Sequence, residues 1–209
     1  MVEVEQAGVK ASNTITRLVY RSVLEEYRKR EEELRNPSIL YVTDLVSCSH
    51  KRALRLSYPE ITFKFEPQLV LGNLVHKGLE DILEENEYKV EVEVEAEYEV
   101  MGSRILLKGR VDAVSKDAVV EIKSARSDQG LPHEHHVMQL QIYLNMLGLD
   151  KGILVYITPD RIAEYLVERE PLSIKDLVEE TILDLKHPRW SWECRYCPFS
   201  RICPYKKIQ

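Results

Sequence analysis

The chain is poor in several things, and each shortage excludes a class of protein. No run of residues approaches the ~18 consecutive apolar positions of a membrane-spanning helix, so no membrane association is expected. The opening residues, MVEVEQAGVK, have no apolar stretch behind a basic one, so no secretory signal is expected and the expected compartment is the cytoplasm. There is no positive net charge: the formal value is −6. A whole-molecule field of that sign repels nucleic acid, so any DNA must meet a local basic surface or bridging metal ions. Amides are scarce, with five Asn and six Gln among 209 residues, a weak thermophilic sign beside so many Glu, Lys and Arg. Internal repeats, linkers and low-complexity segments are absent. Cysteines number only four. In a reducing compartment so small a set, with one close pair, points to metal before disulfide.

What is present reads as an α/β domain. A charged helix is predicted from about Asn13 to Arg35, with Glu25–Lys29 and Glu26–Arg30 as i,i+4 pairs, and Asn36-Pro37 stops it. A short apolar run, Ile39 to Val42, leads to Thr43-Asp44, a predicted N-cap for a second helix bearing Cys48. Leu69 to Leu83 reads as a third helix with Leu71, Leu74, Val75, Leu79, Ile82 and Leu83 on one apolar stripe. The period then drops to two: Val90, Val92, Val94 and Ala96 alternate with Glu91, Glu93, Glu95 and Glu97, a strand with one wet face. Strands Ile105 to Val114 and Ala118 to Ser124, a helix His135 to Leu147 closed by Gly148, strands Gly152 to Thr158 and Ile162 to Glu168, and a helix Ser173 to Leu185 follow. The expected architecture is a mixed sheet flanked by helices with a small C-terminal lobe.

The stretch LKGRVDAVSKDAVVEIKS carries most of the chemistry. Folded about Lys116-Asp117, it sets Val114 opposite Val119 and Asp112 opposite Glu121, with Arg110 and Lys123 on the same face. The other face holds Val111, Ala113, Val120 and Ile122. Two adjacent carboxylates repel unless a proton or cation lies between them, and oxygen ligands on a rigid hairpin suit Mg²⁺ or Mn²⁺. A structural salt-bridge cluster explains the same four charges equally well. His76 lies one helical turn after Gly72, and Gln139 and Tyr143 share a helix face; alone, neither pairing separates function from packing.

In order, GNLVH, GRVD, EIK and QLQIY resemble the GxxxH, GxxD, ExK and QxxxY motifs of RecB-like nucleases in the PD-(D/E)XK superfamily, over roughly His76 through Tyr143. Val111 stands where the superfamily label has proline. The resemblance implies a restriction-endonuclease-like fold, with His76, Asp112, Glu121 and the Ile122 carbonyl as Mg²⁺ or Mn²⁺ ligands. It assigns Lys123 to catalysis, and Gln139 and Tyr143 to positioning.

The tail reads C-x2-C-x5-C at Cys194, Cys197 and Cys203, and Cys48 stands far upstream. Four cysteines as one plus three suggest one tetrathiolate site; from composition zinc is the commoner occupant, an iron–sulfur cluster the alternative, and disulfides remain open. This split set is similar to that of the iron-staple nucleases, among them the CRISPR-associated RecB-like exonucleases of spacer acquisition. It implies an iron–sulfur cluster on Cys48, Cys194, Cys197 and Cys203, with [4Fe–4S] favoured and [2Fe–2S] compatible with four thiolates. It further implies a metal-dependent exonuclease on single-stranded DNA, often 5′ to 3′, that trims prespacers and partners the CRISPR integrase subunits. The organisation expected is a helical region 1–60 with the first cysteine, a nuclease core 61–188 and a cysteine lobe 189–209. His50, Lys51, Arg52 and Arg55 are DNA-contact candidates, against a solvated helix face. Tyr196, with Phe199, Trp190 and Trp192, is a candidate for base stacking, against simple cover for a metal lobe. His133, His135 and His136 are expected near the surface or the DNA and not as ligands. Two alternatives stand beside this reading: a DNA-repair nuclease of the same superfamily, and a zinc-containing DNA-binding module without catalysis.

Overall fold

The structure is a computed structural model describing residues 10–207. Helix α1 (Thr14–Arg35) leads into strand β1 (Ile39–Tyr41), a single turn α2 (Val42–Leu45) and α3 (Ser49–Ser57). After a 3-10 turn comes α4 (Pro67–Glu85), with proline in its first turn, where a missing N–H costs nothing. Strands β2 (Lys89–Val100), β3 (Ser103–Val114) and β4 (Ala118–Ser124) form a meander, and α5 (Glu134–Leu147) crosses to β5 (Lys151–Ile157). Strand β6 (Ile162–Glu168), α6 (Ile174–Ile182) and the short α7 (Glu193–Tyr196) complete the chain. Among the described residues no helix is long and apolar enough to cross a membrane.

The six strands make one mixed sheet. β2 pairs antiparallel with β3 along its length, so β1 and β4 share the other edge of β3: β1 runs parallel at Leu106 to Lys108, and β4 antiparallel at Ala113 and Val114. β4 and β5 are parallel, which requires a crossover, and α5 supplies it. The main core, with Leu40, Leu45, Leu107, Leu140, Leu144 and Tyr156, lies on the α5 side. A second core of Ala113, Val120, Ile122 and Val155 lies under Leu79 and Leu83 of α4.

Three sequence expectations need correction. The second helix is two pieces: Asp44 does not begin it but lies in its first turn, accepting the Tyr41 N–H at 2.9 Å, and the chain leaves the helix at Val46. Cys48 is therefore outside α2, at the N-cap of α3. On α4, Leu71, Leu74 and Ile82 are exposed, because the helix turns Gly72, His76, Leu79, Glu80 and Leu83 toward the sheet instead. Finally, Val111 belongs to the main core while Ala113, Val120 and Ile122 belong to the second. Glu91 has φ 49, and the β2–β3 ladder skips Glu91 and Asp112 there, so the strands change faces between Val111 and Ala113.

Candidate metal centre and cysteine pocket

That interruption places Asp112. The hairpin register begins as the sequence predicts, with Val114 opposite Val119 and Ala113 opposite Val120, but the ladder ends there. Asp112 does not pair across to Glu121. Its Oδ2 accepts the Ile122 N–H at 2.6 Å, occupying the place of a ladder carbonyl, and its Oδ1 lies 3.4 Å from His76 Nδ1. Two positions back, the Arg110 carbonyl of β3 accepts the Tyr143 hydroxyl at 3.0 Å. The Arg110 side chain leaves the site: it is exposed and pairs with Glu91.

Helix α4 brings His76 and, one turn later, Glu80. His76, Glu80 and Asp112 offer ligand atoms within 4.8 Å of one another. The helix can come this close because Gly72 packs against β4, where a Cβ would stand 3.1 Å from Ser124 Oγ. Glu80 is absent from the sequence reading. The i,i+4 step from His76 was the available signal, but a glutamate on a charged helix does not stand out.

Glu121 is 2% exposed. Its Oε1 accepts from Lys123 Nζ at 2.5 Å, which also donates to Gln139 Oε1 at 3.1 Å, and its Oε2 is buried with no partner among the described residues. Burial, reinforced by Asp112, outweighs the Lys123 charge and pushes the Glu121 carboxyl up to about 7. Burial, Asp112 and Glu91 also push Glu80 up. At His76 burial pulls down, but the hydrogen bond and charge of Asp112 prevail and the ring is raised. Tyr143 is held well above the usual phenol range by burial and by Glu121. A divalent cation suits the His76–Glu80–Asp112 set, where it would neutralise crowded carboxylates; Glu121 lies outside that group, though close enough for the Asp112 charge to raise its carboxyl. Lys123 is held between Glu121 and Gln139.

The cysteines converge from both ends of the chain. Cys48, Cys194, Cys197 and Cys203, all free thiols, line one cavity of about 240 Å³. Glu193, buried at its rim, accepts the Cys48 N–H at 2.8 Å and the N–H groups of Arg189 and Trp190 at 2.8 and 3.0 Å. Burial raises the Cys48 thiol to about 11 and raises Cys197 too. A bound metal centre would reverse that preference by stabilising thiolates.

The basic candidates after Cys48 divide. Arg52 is buried and donates to the Pro37 carbonyl at 2.5 Å; Arg55 pairs with Asp44 at 2.9 Å and lies over the Tyr41 ring; His50 is held at 2.6 Å by Asp184. These three are engaged as structural ties between segments, and of the four only Lys51 is exposed. Phe199 is fully buried and Trp190 Nε1 donates to the Val46 carbonyl, so both pack the lobe. Trp192 and Tyr196 are exposed. His133, His135 and His136 lie in ring contact, and His136 Nδ1 is 2.9 Å from the Tyr156 hydroxyl. Burial, then nearby positive charge, lowers His135 to about 4 and His136 to about 2, which keeps both neutral.

The sequence of residues 83–204 matches the model of the PD-(D/E)XK nuclease superfamily, a span from Leu83 to Pro204 that holds Asp112, Glu121, Lys123 and the three tail cysteines. The chain belongs to that superfamily. Within it, the chain is 45% identical over 204 residues to the CRISPR-associated exonuclease Cas4 of Saccharolobus solfataricus, covering 92% of this chain and 98% of that protein. The crystal structure of SSO0001 superposes with a TM-score of 0.81 at 42% identity, over 91% of this chain and 98% of that one. An alkaline exonuclease from Laribacter hongkongensis shares the fold, with a TM-score of 0.50 at 13% identity over 71% of this chain and 86% of that one. A PD-(D/E)XK nuclease is a phosphodiester hydrolase, and the His76–Glu80–Asp112 group is its candidate divalent-metal centre here.

Proposed function

We propose that the protein is a Mn²⁺- or Mg²⁺-dependent DNA exonuclease that acts on single strands from 5′ to 3′, carries an iron–sulfur cluster, and trims prespacers in CRISPR spacer acquisition beside the integrase subunits. The similarity to the Cas4 exonuclease supports the pathway and the activity. The observation that carries the chemistry is Lys123 Nζ held between Glu121 and Gln139 beside the His76–Glu80–Asp112 donor set. His76, Asp112, Glu121 and the Ile122 carbonyl would hold the catalytic ion, with Glu80 as a further carboxylate within reach. Bound there, the ion supplies charge neutralisation at the scissile phosphate and a more acidic water. Lys123 orients that water or stabilises charge building on a phosphoryl oxygen. Gln139 fixes the ammonium, and Tyr143 anchors α5 to β3 through the Arg110 carbonyl.

Cys48, Cys194, Cys197 and Cys203, in the lobe of residues 189–209 and its N-terminal partner, would hold the cluster. What supports it is the convergence of the four thiols on one cavity, together with the similarity of the one-plus-three cysteine set to that of the iron-staple nucleases. The test is cleavage of end-labelled single and double strands with defined metals, alongside the visible spectrum. Single-strand shortening from the 5′ end by a brown protein is the expected result. A colourless, zinc-loaded protein without cleavage would establish the DNA-binding module instead.

A further inference from the structure

The C-terminal segment has an electrostatic character opposite to the rest of the chain. Residues 186–209 contain six Lys and Arg against the single acid Glu193, a net +5, which leaves −11 on residues 1–185 of a chain totalling −6. Glu193 is itself buried and committed to backbone N–H groups, so the lobe presents an almost purely cationic surface: Arg195, Arg201, Lys206 and Lys207 are exposed, as is Lys51 from α3. Two aromatic rings stand among these cations. Tyr196 is 64% exposed and Trp192 40% exposed, their centroids 6.5 Å apart, and the Arg195 guanidinium lies 5.5 Å over the Tyr196 ring. Both rings touch the rim of the cysteine cavity, yet each leaves a large part of its surface to solvent.

The pair also has a direction. Trp192 lies 4.9 Å from the His135 ring in the first turn of α5. Gln139, four residues on and so on the same helix face, holds Lys123 at 3.1 Å. One helical turn, ~5.4 Å of axis, separates the ring contact from the residue that fixes the catalytic lysine.

We propose that Trp192 and Tyr196, with Arg195 and Lys206 beside them, form a stacking platform that grips unpaired bases of single-stranded DNA and presents the strand at the His135 end of α5, on the side of Lys123. The proposal rests on the nuclease reading above. Stacking accepts any base, because every base has a π-face, but it needs that face unpaired. The platform therefore selects strandedness rather than sequence. The surrounding cations supply the salt-dependent phosphate attraction that the acidic remainder of the molecule lacks.

The experiment measures DNA affinity separately from cleavage. Holoprotein with its cysteine-site absorbance intact is titrated, in EDTA, into a fluorescent oligothymidylate and into a duplex of equal length. Tyr196→Ala and Trp192→Ala should each weaken single-strand binding by roughly 5- to 100-fold, the range a lost base stack produces. Duplex binding should change little, and Tyr196→Phe and Trp192→Phe should bind as wild type. Because Trp192 also touches His135, the more exposed Tyr196 is the cleaner test of stacking. Arg195→Gln with Lys206→Gln should reduce the slope of log affinity against log salt by about 1–1.5. Ring variants that bind single strands as tightly as wild type, or that lose single strands and duplex alike, would overturn the platform while wild-type cleavage left the nuclease reading standing. A wild-type protein that neither binds nor cuts DNA would overturn both.

Discussion

Glu121 lies in the interior of the sheet with one carboxylate oxygen bound to Lys123 and the other unpartnered. Without metal, its carboxyl is pushed up to about 7, above its ordinary value of 4.5. The folded state thus holds a proton that the unfolded chain releases between those values, so metal-free protein loses stability as pH rises from about 4.5 through about 7 and then levels off. The expected result in EDTA is a melting temperature that falls by several degrees between about pH 5 and pH 8. Mn²⁺ should restore it at the upper end, and Glu121→Gln should flatten the profile. Lys123→Ala should behave differently: the metal donors remain, so Mn²⁺ binding measured by calorimetry is retained, while cleavage falls about 100-fold or more. Equal losses of metal affinity and rate would make Lys123 a structural residue. Asp112→Ala should remove both binding and cleavage without unfolding the protein. At this scale the sequence was informative where ordered motifs fixed residue type and spacing together, as for His76, Asp112, Glu121 and Lys123. It was silent on the partners of Arg52 and Arg55, because a cationic helix segment has the same local pattern whether its guanidinium groups meet solvent or a carbonyl and a carboxylate inside.

Elements were legible where the period was clean. The alternating Glu and Val of β2 and the turn at Lys116-Asp117 follow from local rules, and Gly148 ends α5 with φ 68 as its position suggests. The split between α2 and α3, and the orientation of α4, depend on contacts distant in sequence. Trp190, from the tail, takes the Val46 carbonyl where α2 ends, and Asp112 draws His76 toward the sheet. No local window contains either partner. Gly109 shows how tightly these elements meet: a Cβ there would lie 2.7 Å from Tyr143 Cε1 and 2.8 Å from Val42 Cγ2. Gly109→Ala would wedge α5 away from β3, at about 1–3 kcal/mol of overpacking. A melting temperature lower by roughly 2–12 °C is expected. Activity should fall further than stability explains, because Tyr143 loses its seat on the Arg110 carbonyl. Wild-type kinetics in a Gly109→Ala protein would show that this seat does not set the site.

Across the whole molecule, the two proposed metal centres are tied to the fold in different ways. The carboxylate site sits on a sheet that is held by its own core, whereas the cysteine pocket joins α3 to the tail and encloses every catalytic motif between Cys48 and Cys194. Closing so long a loop restricts the unfolded chain by about 4–5 kcal/mol in the entropic account of cross-links. Gentle EDTA should therefore stop cleavage and leave colour and fold in place. Cys48→Ala should bleach the protein, lower its melting temperature and expose the tail to protease. A Cys48→Ala protein with the wild-type spectrum and melting point would disprove the one-plus-three arrangement.

Glu193 adds a matter of timing. Its carboxylate gathers the Cys48 backbone and the start of the cysteine tail into one buried hydrogen-bonded knot that uses none of the four cysteine sulfurs. The seat is thus built by ordinary folding, and the proposed cluster would enter a finished receptacle instead of a loose chain. Glu193→Ala keeps all four thiols yet should emerge from cells largely colourless and accept a cluster slowly on chemical reconstitution.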